Sequence, residues 1–381
     1  MKRREFIVLL GGMAIAVPHA ATAQTSKVYR LGTLTAGPPL TAKDSRGAIL
    51  VSTLAKRGYT LGQNLAYEAR GARGKMGMAP QMMLELVAAK VDAVVTISYP
   101  AAAAAKASGI PTVIASGSGD PVTTGLVKSL SHPGGNVTGI ADDAAMLSTK
   151  RLSLLKALLP NLRRVAMLWN KQDLGMSQRY EASAKAARDI GVVVEPLGVR
   201  EPDDFNDAFA AMSREKPDAI LMVSDSLTLL NRKRVIEFAA EHRLPAIYEA
   251  DRLVGEGGLM SYGADARESF ERAAALVDRI FKGAKPADLP VEQPTRYLFV
   301  LNLKTARAMN LSVPNTLAAL ADKVIEKGVV FLRCGMTRMA RSRQFRTSAF
   351  APLMGVDRTY LKQAKNDVID PSRHLPRPTA M

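Results

Sequence analysis

The chain has 381 residues, 47% of them apolar, with a mean hydropathy of zero, and so reads as a soluble globular protein with room for two lobes and their buried sheets. Its formal net charge of +17 lies largely at the ends: residues 1–23 hold three basic and one acidic residue and residues 327–381 eleven and three, leaving +7 for the body. The body has no basic run interleaved with aromatics, so the charge gives no ground for nucleic-acid binding.

The first 23 residues read as an address. Lys2, Arg3 and Arg4 precede an apolar core from Ile7 to Val17, and Ala21-Thr22-Ala23 forms a small-residue cleavage site before Gln24. That core is too short for a stable membrane span. Arg3-Arg4-Glu5-Phe6-Ile7 resembles a twin-arginine signal, and an ordinary secretory signal fits as well. Either route predicts an exported, periplasmic chain cut after Ala23.

Elements then alternate. Val28–Leu34 reads as a buried strand, Ser45–Arg57 as a helix, Asn64–Ala69 as a strand and Gln81–Lys90 as a helix. Asp92–Ile97 is a nearly all-apolar strand, Pro100–Ser108 an alanine-rich helix and Pro111–Ala115 a strand. Repeated βα units imply a parallel sheet with right-handed crossovers. Gly119–Ala141 loses helical period at Pro121, Pro133, Gly134 and Gly135, ends in a short strand at Asn136–Ile140, and reads as the first crossing into a second lobe.

The pattern restarts with a helix at Ser148–Leu159, a strand at Arg164–Trp169, a helix at Ser177–Ile190 and a strand at Val192–Leu197. Pro202–Glu215 and Leu227–His242 read as single helices around a strand at Asp218–Val223, with Pro245–Tyr248 and Gly258–Gly263 as further strands. Ser269–Lys282 is a long amphipathic helix, Tyr297–Leu303 a strand and Asn315–Glu326 a last helix. Residues 327–381 have no sustained period and concentrate arginine and proline, which predicts a disordered or loosely attached tail.

In open parallel sheets, ligands bind outside the carboxyl ends of the strands. That rule picks out Thr35 and Ala36, and Ser98-Tyr99-Pro100, where proline suits the first helical position and the free amides form an anion site. In the second lobe it picks out Asn170 and Asp173, Ser224-Asp225-Ser226, and Tyr248-Glu249. Asp225 either caps the following helix or holds an ammonium or hydroxyl group of a ligand. An anion site facing a carboxylate suits an amino acid.

Catalytic and cofactor patterns are missing. There is no GxSxG elbow, Walker loop or HExxH, and the Gly134–Gly139 run lacks dinucleotide-loop spacing and precedes a strand. Adjacent Asp142 and Asp143 read as a solvated turn. His19, His132, His242 and His374 have no metal-ligand spacing, and lone Cys334 excludes an internal disulfide. No enzyme activity, cofactor or metal is expected.

The run GDPVTTGLVKSLSHPGGNVTGI, with GGLMSYGAD and PNTLAALADKVIE, resembles the exported solute-binding proteins of ABC transporters, in the subgroup of tryptophan- and phenylalanine-type binders. The likeness covers about residues 1–326 and leaves 327–381 outside it. It implies an α/β fold of two Rossmann-like parallel-sheet lobes joined by three crossings, the type I periplasmic binding fold. Residues 24–141 with 265–293 would form lobe one, and 142–264 with 294–326 lobe two. It implies a monomer that closes on a small polar, amino-acid-like ligand and presents it to an inner-membrane ABC permease. An exported sensor signalling to a membrane kinase shares these features, and an α/β enzyme acting on a small acid is a third reading.

Overall fold

The computed structural model describes residues 27–141 and 143–326, together with the backbone of 329–332. The expected signal segment and most of the expected tail lie outside the described residues.

The first sheet holds β1 (Tyr29–Thr35), β2 (Leu65–Gly71), β3 (Ala93–Ile97), β4 (Thr112–Ser116) and β5 (Val137–Gly139), all parallel, in the order β2-β1-β3-β4-β5. Alternate residues of these strands face different layers. Leu31, Ala93, Val95, Val113 and Ala115 pack with Leu50 and Leu54 of α1 (Ser45–Ala55), whereas Leu34 and Val94 pack with α2 (Ala79–Ala88) and α3 (Tyr99–Ser108). Chain direction across the sheet therefore reverses between β1 and β3.

After α4 (Ala144–Leu158) the second sheet begins with β6 (Arg164–Asn170), α5 (Leu174–Asp189), β7 (Val193–Val199), α6 (Asp204–Arg214) and β8 (Ala219–Met222). It continues through α7 (Ser226–Leu230), α8 (Arg232–Glu241), β9 (Ala246–Tyr248), α9 (Asp251–Gly255) and β10 (Met260–Ala264). Next, α10 (Ala266–Phe281) returns to the first sheet. Phe270, Ala273, Ala274, Val277 and Phe281 recur at helical spacing and complete the core that α1 begins. Then β11 (Tyr297–Asn302), α11 (Leu303–Ala308), α12 (Asn315–Leu320), β12 (Lys323–Glu326) and β13 (Val329–Leu332) finish the second sheet. Its order is β13-β12-β11-β10-β9-β8-β6-β7, with antiparallel pairs only at β10–β11 and β12–β13. Here too direction reverses beside the first strand, between β6 and β8.

The three crossings run side by side. Ala141 N donates to Glu292 O at 2.7 Å, Glu292 N to Gly139 O at 2.8 Å, and Asp265 N to Arg296 O at 2.9 Å.

Four sequence expectations need correction. The helix expected over Leu227–His242 is two, because Asn231 leaves helical geometry (φ −96°, ψ 7°) and its side-chain Nδ2 donates to Leu227 O at 3.0 Å. The short helices α9 and α11 form where the sequence shows no element beyond a strand end at Leu303, since five and six residues show little period. The helix expected over Asn315–Glu326 stops at Leu320. Ala321 turns extended, Asp322 accepts from Phe299 N at 2.7 Å, and β-branched Val324 and Ile325 pair with β11. Finally, Val329–Leu332 of the expected loose tail forms a strand against β12. Asp143 is also more than a turn residue: it caps α4, accepting from Met146 N at 2.9 Å.

Candidate functional site

Parallel strands carry their following helices' N-termini to one edge, so ligands of such sheets gather where chain direction reverses. Both reversal points of this chain open onto one cavity of about 500 Å³. Lobe one contributes Thr35, Pro38, Leu40, Ser98, Ser116 and Gly117. Lobe two contributes Arg151, Met176, Arg179, Ser224, Asp225 and Glu249.

On the first wall, Ser98 joins β3 to α3 with φ 89° and ψ 156°, a backbone setting that L side chains rarely adopt. Its amide donates to Ser116 O at 3.0 Å and its carbonyl accepts from Ala102 N at 3.1 Å. The buried Ser98 Oγ has no hydrogen-bond partner among the described residues, and the same holds for Ser224 Oγ on the facing wall. A buried hydroxyl without a partner is uncommon, and here both belong to residues that line an open cavity. Thr35 Oγ1 is occupied, donating to Pro38 O at 2.7 Å.

On the second wall, Asp225 forms a capping box. Its Oδ1 accepts from Leu227 N and Thr228 N, its own amide donates to Thr228 Oγ1, and its Oδ2 accepts from Asn170 N at 3.1 Å. It thus ties the end of β6 to the start of α7 across the reversal point. Burial pushes its carboxyl up to about 7, against the amides that favour the ionised form. Glu249 lies between two buried arginines. Arg151 Nη1 approaches its Oε1 at 2.9 Å, Arg179 donates to its Oε2, and Ser224 N donates to Oε2 at 3.1 Å. Burial alone would raise the Glu249 carboxyl; the two guanidiniums and the amide hold it below the usual range. Arg151 Nε also donates to Tyr262 O at 2.8 Å, which fixes the triad to β10.

Thr35, Ser98, Ser224, Asp225, Ser226 and Glu249 therefore line the cavity. Ala36, Tyr99, Pro100, Asn170, Asp173 and Tyr248 do not; they support the wall from behind. Asp173, fully buried, caps α5 by accepting from Gly175 N at 2.9 Å, and Tyr248 is buried in the second core. Ala36 O accepts from Gly74 N at 2.8 Å, Tyr99 and Pro100 form the first turn of α3, and Asn170 Oδ1 accepts from Gln172 N at 3.0 Å. The expectation missed Arg151 and Arg179. A signal existed: Leu147, Arg151, Leu154 and Leu158 share one stripe of α4, as Met176, Arg179, Ser183 and Ala187 do on α5, so each arginine sits at a buried helical position.

The lobes touch across the cavity. A Cβ on Gly37 would lie 3.2 Å from Ser226 Oγ, one on Gly74 3.1 Å from Leu230 Cδ1, and one on Gly175 2.8 Å from the Ser118 carbonyl. Asp120 N donates across to Gln178 Oε1 at 3.2 Å.

A family model described as ABC transporter substrate binding protein matches residues 41–325. The chain belongs to the ABC transporter substrate-binding protein family. Like that family, it has the type I periplasmic-binding fold, with two parallel-sheet lobes joined by three crossings. A tyrosine-binding protein of Clostridioides difficile is 27% identical over 263 residues, 68% of this chain and 75% of the relative. Among solved structures, a conserved domain protein from Vibrio cholerae is 26% identical with a TM-score of 0.73, over 78% of this chain and all of the other. An ABC domain from Streptococcus pneumoniae in complex with L-Trp is also 26% identical, with a TM-score of 0.71 over 78% and 99%. A ligand-free, open substrate-binding protein from Clostridium difficile is 25% identical, with a TM-score of 0.56 over 76% and 97%. At nearly equal identity, this substrate-binding protein is thus closer in shape to the ligand complex than to the open form, and its lobes are in contact.

Proposed function

We propose that this substrate-binding protein is an exported, monomeric receptor that closes on a small polar, amino-acid-like ligand between its lobes and presents it to an ABC permease. The observation that carries this reading is the cavity of about 500 Å³ between the two reversal points, with the unpartnered hydroxyl of buried Ser98 beside the N-terminus of α3. A cavity of that size falls in the usual range for small-molecule sites, roughly 300–1,000 Å³. A ligand carboxylate would accept from Ser98 Oγ and gain from the positive end of the helix. Apolar Pro38, Leu40, Ile97, Met176 and Leu229 would cover its carbon skeleton. Relatives named for tyrosine binding and solved with L-Trp favour an amino-acid-like ligand. The basic and apolar leader of residues 1–23 favours export.

A thermal-shift screen of amino acids, small acids, purines and peptides tests the reading, followed by small-angle scattering with each hit. A ligand at a hundred times its dissociation constant should stabilise the chain by about 2.7 kcal/mol. The radius of gyration should fall as the lobes hinge about the adjoining crossings near Ala141, Ala264 and Pro294. If no solute both stabilises and compacts the chain, the receptor reading is wrong.

A further inference from the structure

Every carboxylate that lines the cavity already has partners. Asp44 accepts from Thr41 N at 2.7 Å and from its hydroxyl at 2.8 Å, and Asp251 pairs with Lys323 at 3.1 Å. Asp225 holds three main-chain amides, and Glu249 is shared by two arginines. The cations are placed differently. Arg46 stands in the first turn of α1, in lobe one, over the Phe270 ring at 5.8 Å. Arg252 stands on α9, in lobe two, and both line the same cavity. Neither has a carboxylate at ion-pair distance among the described residues, although Arg232 beside them pairs with Glu256 at 2.6 Å.

A cation in the first turn of a helix opposes the helix dipole, and two guanidiniums lining one cavity from opposite lobes repel each other. Partial loss of surrounding water lowers the pKa of Arg46, with Arg252 lowering it and Asp44 raising it; the same loss and then Arg232 lower that of Arg252, against Glu256 and Asp251. Closing the lobes therefore brings the two guanidiniums to a cavity in which Asp225, Glu249 and Asp251 already hold amides or cations. An oxyanion between the two side chains would turn that repulsion into attraction.

We infer that Arg46 and Arg252 form a cross-lobe clamp for an anionic group of the ligand, which makes the preferred ligand a small organic acid with a second oxyanion besides the one at Ser98. This rests on the cleft being the ligand site. It adds a second oxyanion to the amino-acid-like ligand of the proposed function, since the two guanidiniums repel a further ammonium group and attract an anion.

The test compares matched probes, L-phenylalanine with L-4-carboxyphenylalanine and butyrate with succinate, by calorimetric titration of the full chain. The acid with two carboxylates is expected to bind about tenfold more tightly at low salt, with the advantage shrinking as salt rises because Arg252 is exposed. In Arg46→Gln and Arg252→Gln the ratio within each pair should collapse toward one. Equal binding within the pairs, an unchanged ratio in both variants, or binding by none of the four probes overturns the clamp.

A second arm needs no ligand. With both charges removed, the unliganded chain should scatter as a more closed particle than the unaltered one, and identical curves also overturn the clamp. Failure of the cleft reading looks different: no solute of any charge would compact the chain, whatever the variants do.

Discussion

Gly175 in the first turn of α5 meets the main chain of Ser118 from the other lobe, where a Cβ would lie 2.8 Å from the carbonyl carbon and oxygen. This contact exists only while the lobes are together, and it requires a residue without a side chain at that point.

The Gly175→Ala substitution should therefore separate two properties that most variants change together. Alanine favours a helix over glycine by about 1 kcal/mol, so the melting temperature of the unliganded chain should hold or rise. Closure should suffer, because the neighbour that must move is backbone and not a flexible side chain. Calorimetric titration with a solute from the screen should show weaker binding, and scattering a smaller compaction. A variant that binds and compacts like the parent would mean the lobes close along another path.

Ser98→Ala should also leave the fold intact. The hydroxyl has no partner to lose, so the melting temperature is expected to stay within a degree or two. Affinity should fall roughly tenfold or more, the usual cost of a hydrogen bond to a charged group. Unchanged affinity would remove Ser98 from the site.

Asp225→Ala should act in the opposite sense, mainly on the fold. It removes a capping box, worth about 1–2 kcal/mol, and strands the Asn170 amide, worth about 1–3 kcal/mol. Thermal melts read the sum. An unaltered melting temperature with lost binding would return the carboxylate to direct ligand contact.

Asp225 also predicts a pH dependence. Its folded pKa, about 7, lies above the unfolded value of 3.8, so folding resists its ionisation. Its contribution is fully present below about pH 3.8, declines as pH rises through about 7 and is flat beyond. Asp225→Asn cannot ionise, so the stability difference between parent and variant should shift against the parent across that window. Urea titrations at pH 4, 5.5 and 7.5 check the sign; a difference that does not change, or that moves in the parent's favour, contradicts it.

Glu249→Gln leaves Arg151 and Arg179 buried without their shared counter-charge. Breaking a buried pair this way costs about 3–5 kcal/mol, enough for denaturant unfolding to show clearly. A loss below about 1 kcal/mol would mean that water reaches the triad.

Sequence made the order of elements readable because the strands are buried on both faces and written in runs such as Ala93–Ile97 and Ala219–Met222. The strand-end rule led to the cavity region through main-chain geometry alone, which is why it named Ser98 and Ser224 together with Tyr248 and Asp173 behind the wall. It could not distinguish a residue facing the cavity from one facing the core. Arg46 and Arg252 were out of reach for another reason: they line one cavity only because two lobes, far apart in sequence, come together. The strand at Lys323–Glu326 was hidden because four residues fit either period.

The return of α10 to the first sheet sets an order of assembly during synthesis. Strands β6 to β9 leave the ribosome as one uninterrupted run and can pair at once. The earlier-made first sheet must wait for Phe270 to Phe281 before the face that α1 covers in part, with Leu31, Val95 and Val113, is closed. At roughly 5–20 residues per second, the roughly 140 residues between β5 and Phe281 leave that face half covered for about 7–28 seconds. The part of the protein made first is thus finished late, and a nascent chain halted before α10 would present an apolar sheet face covered by α1 alone.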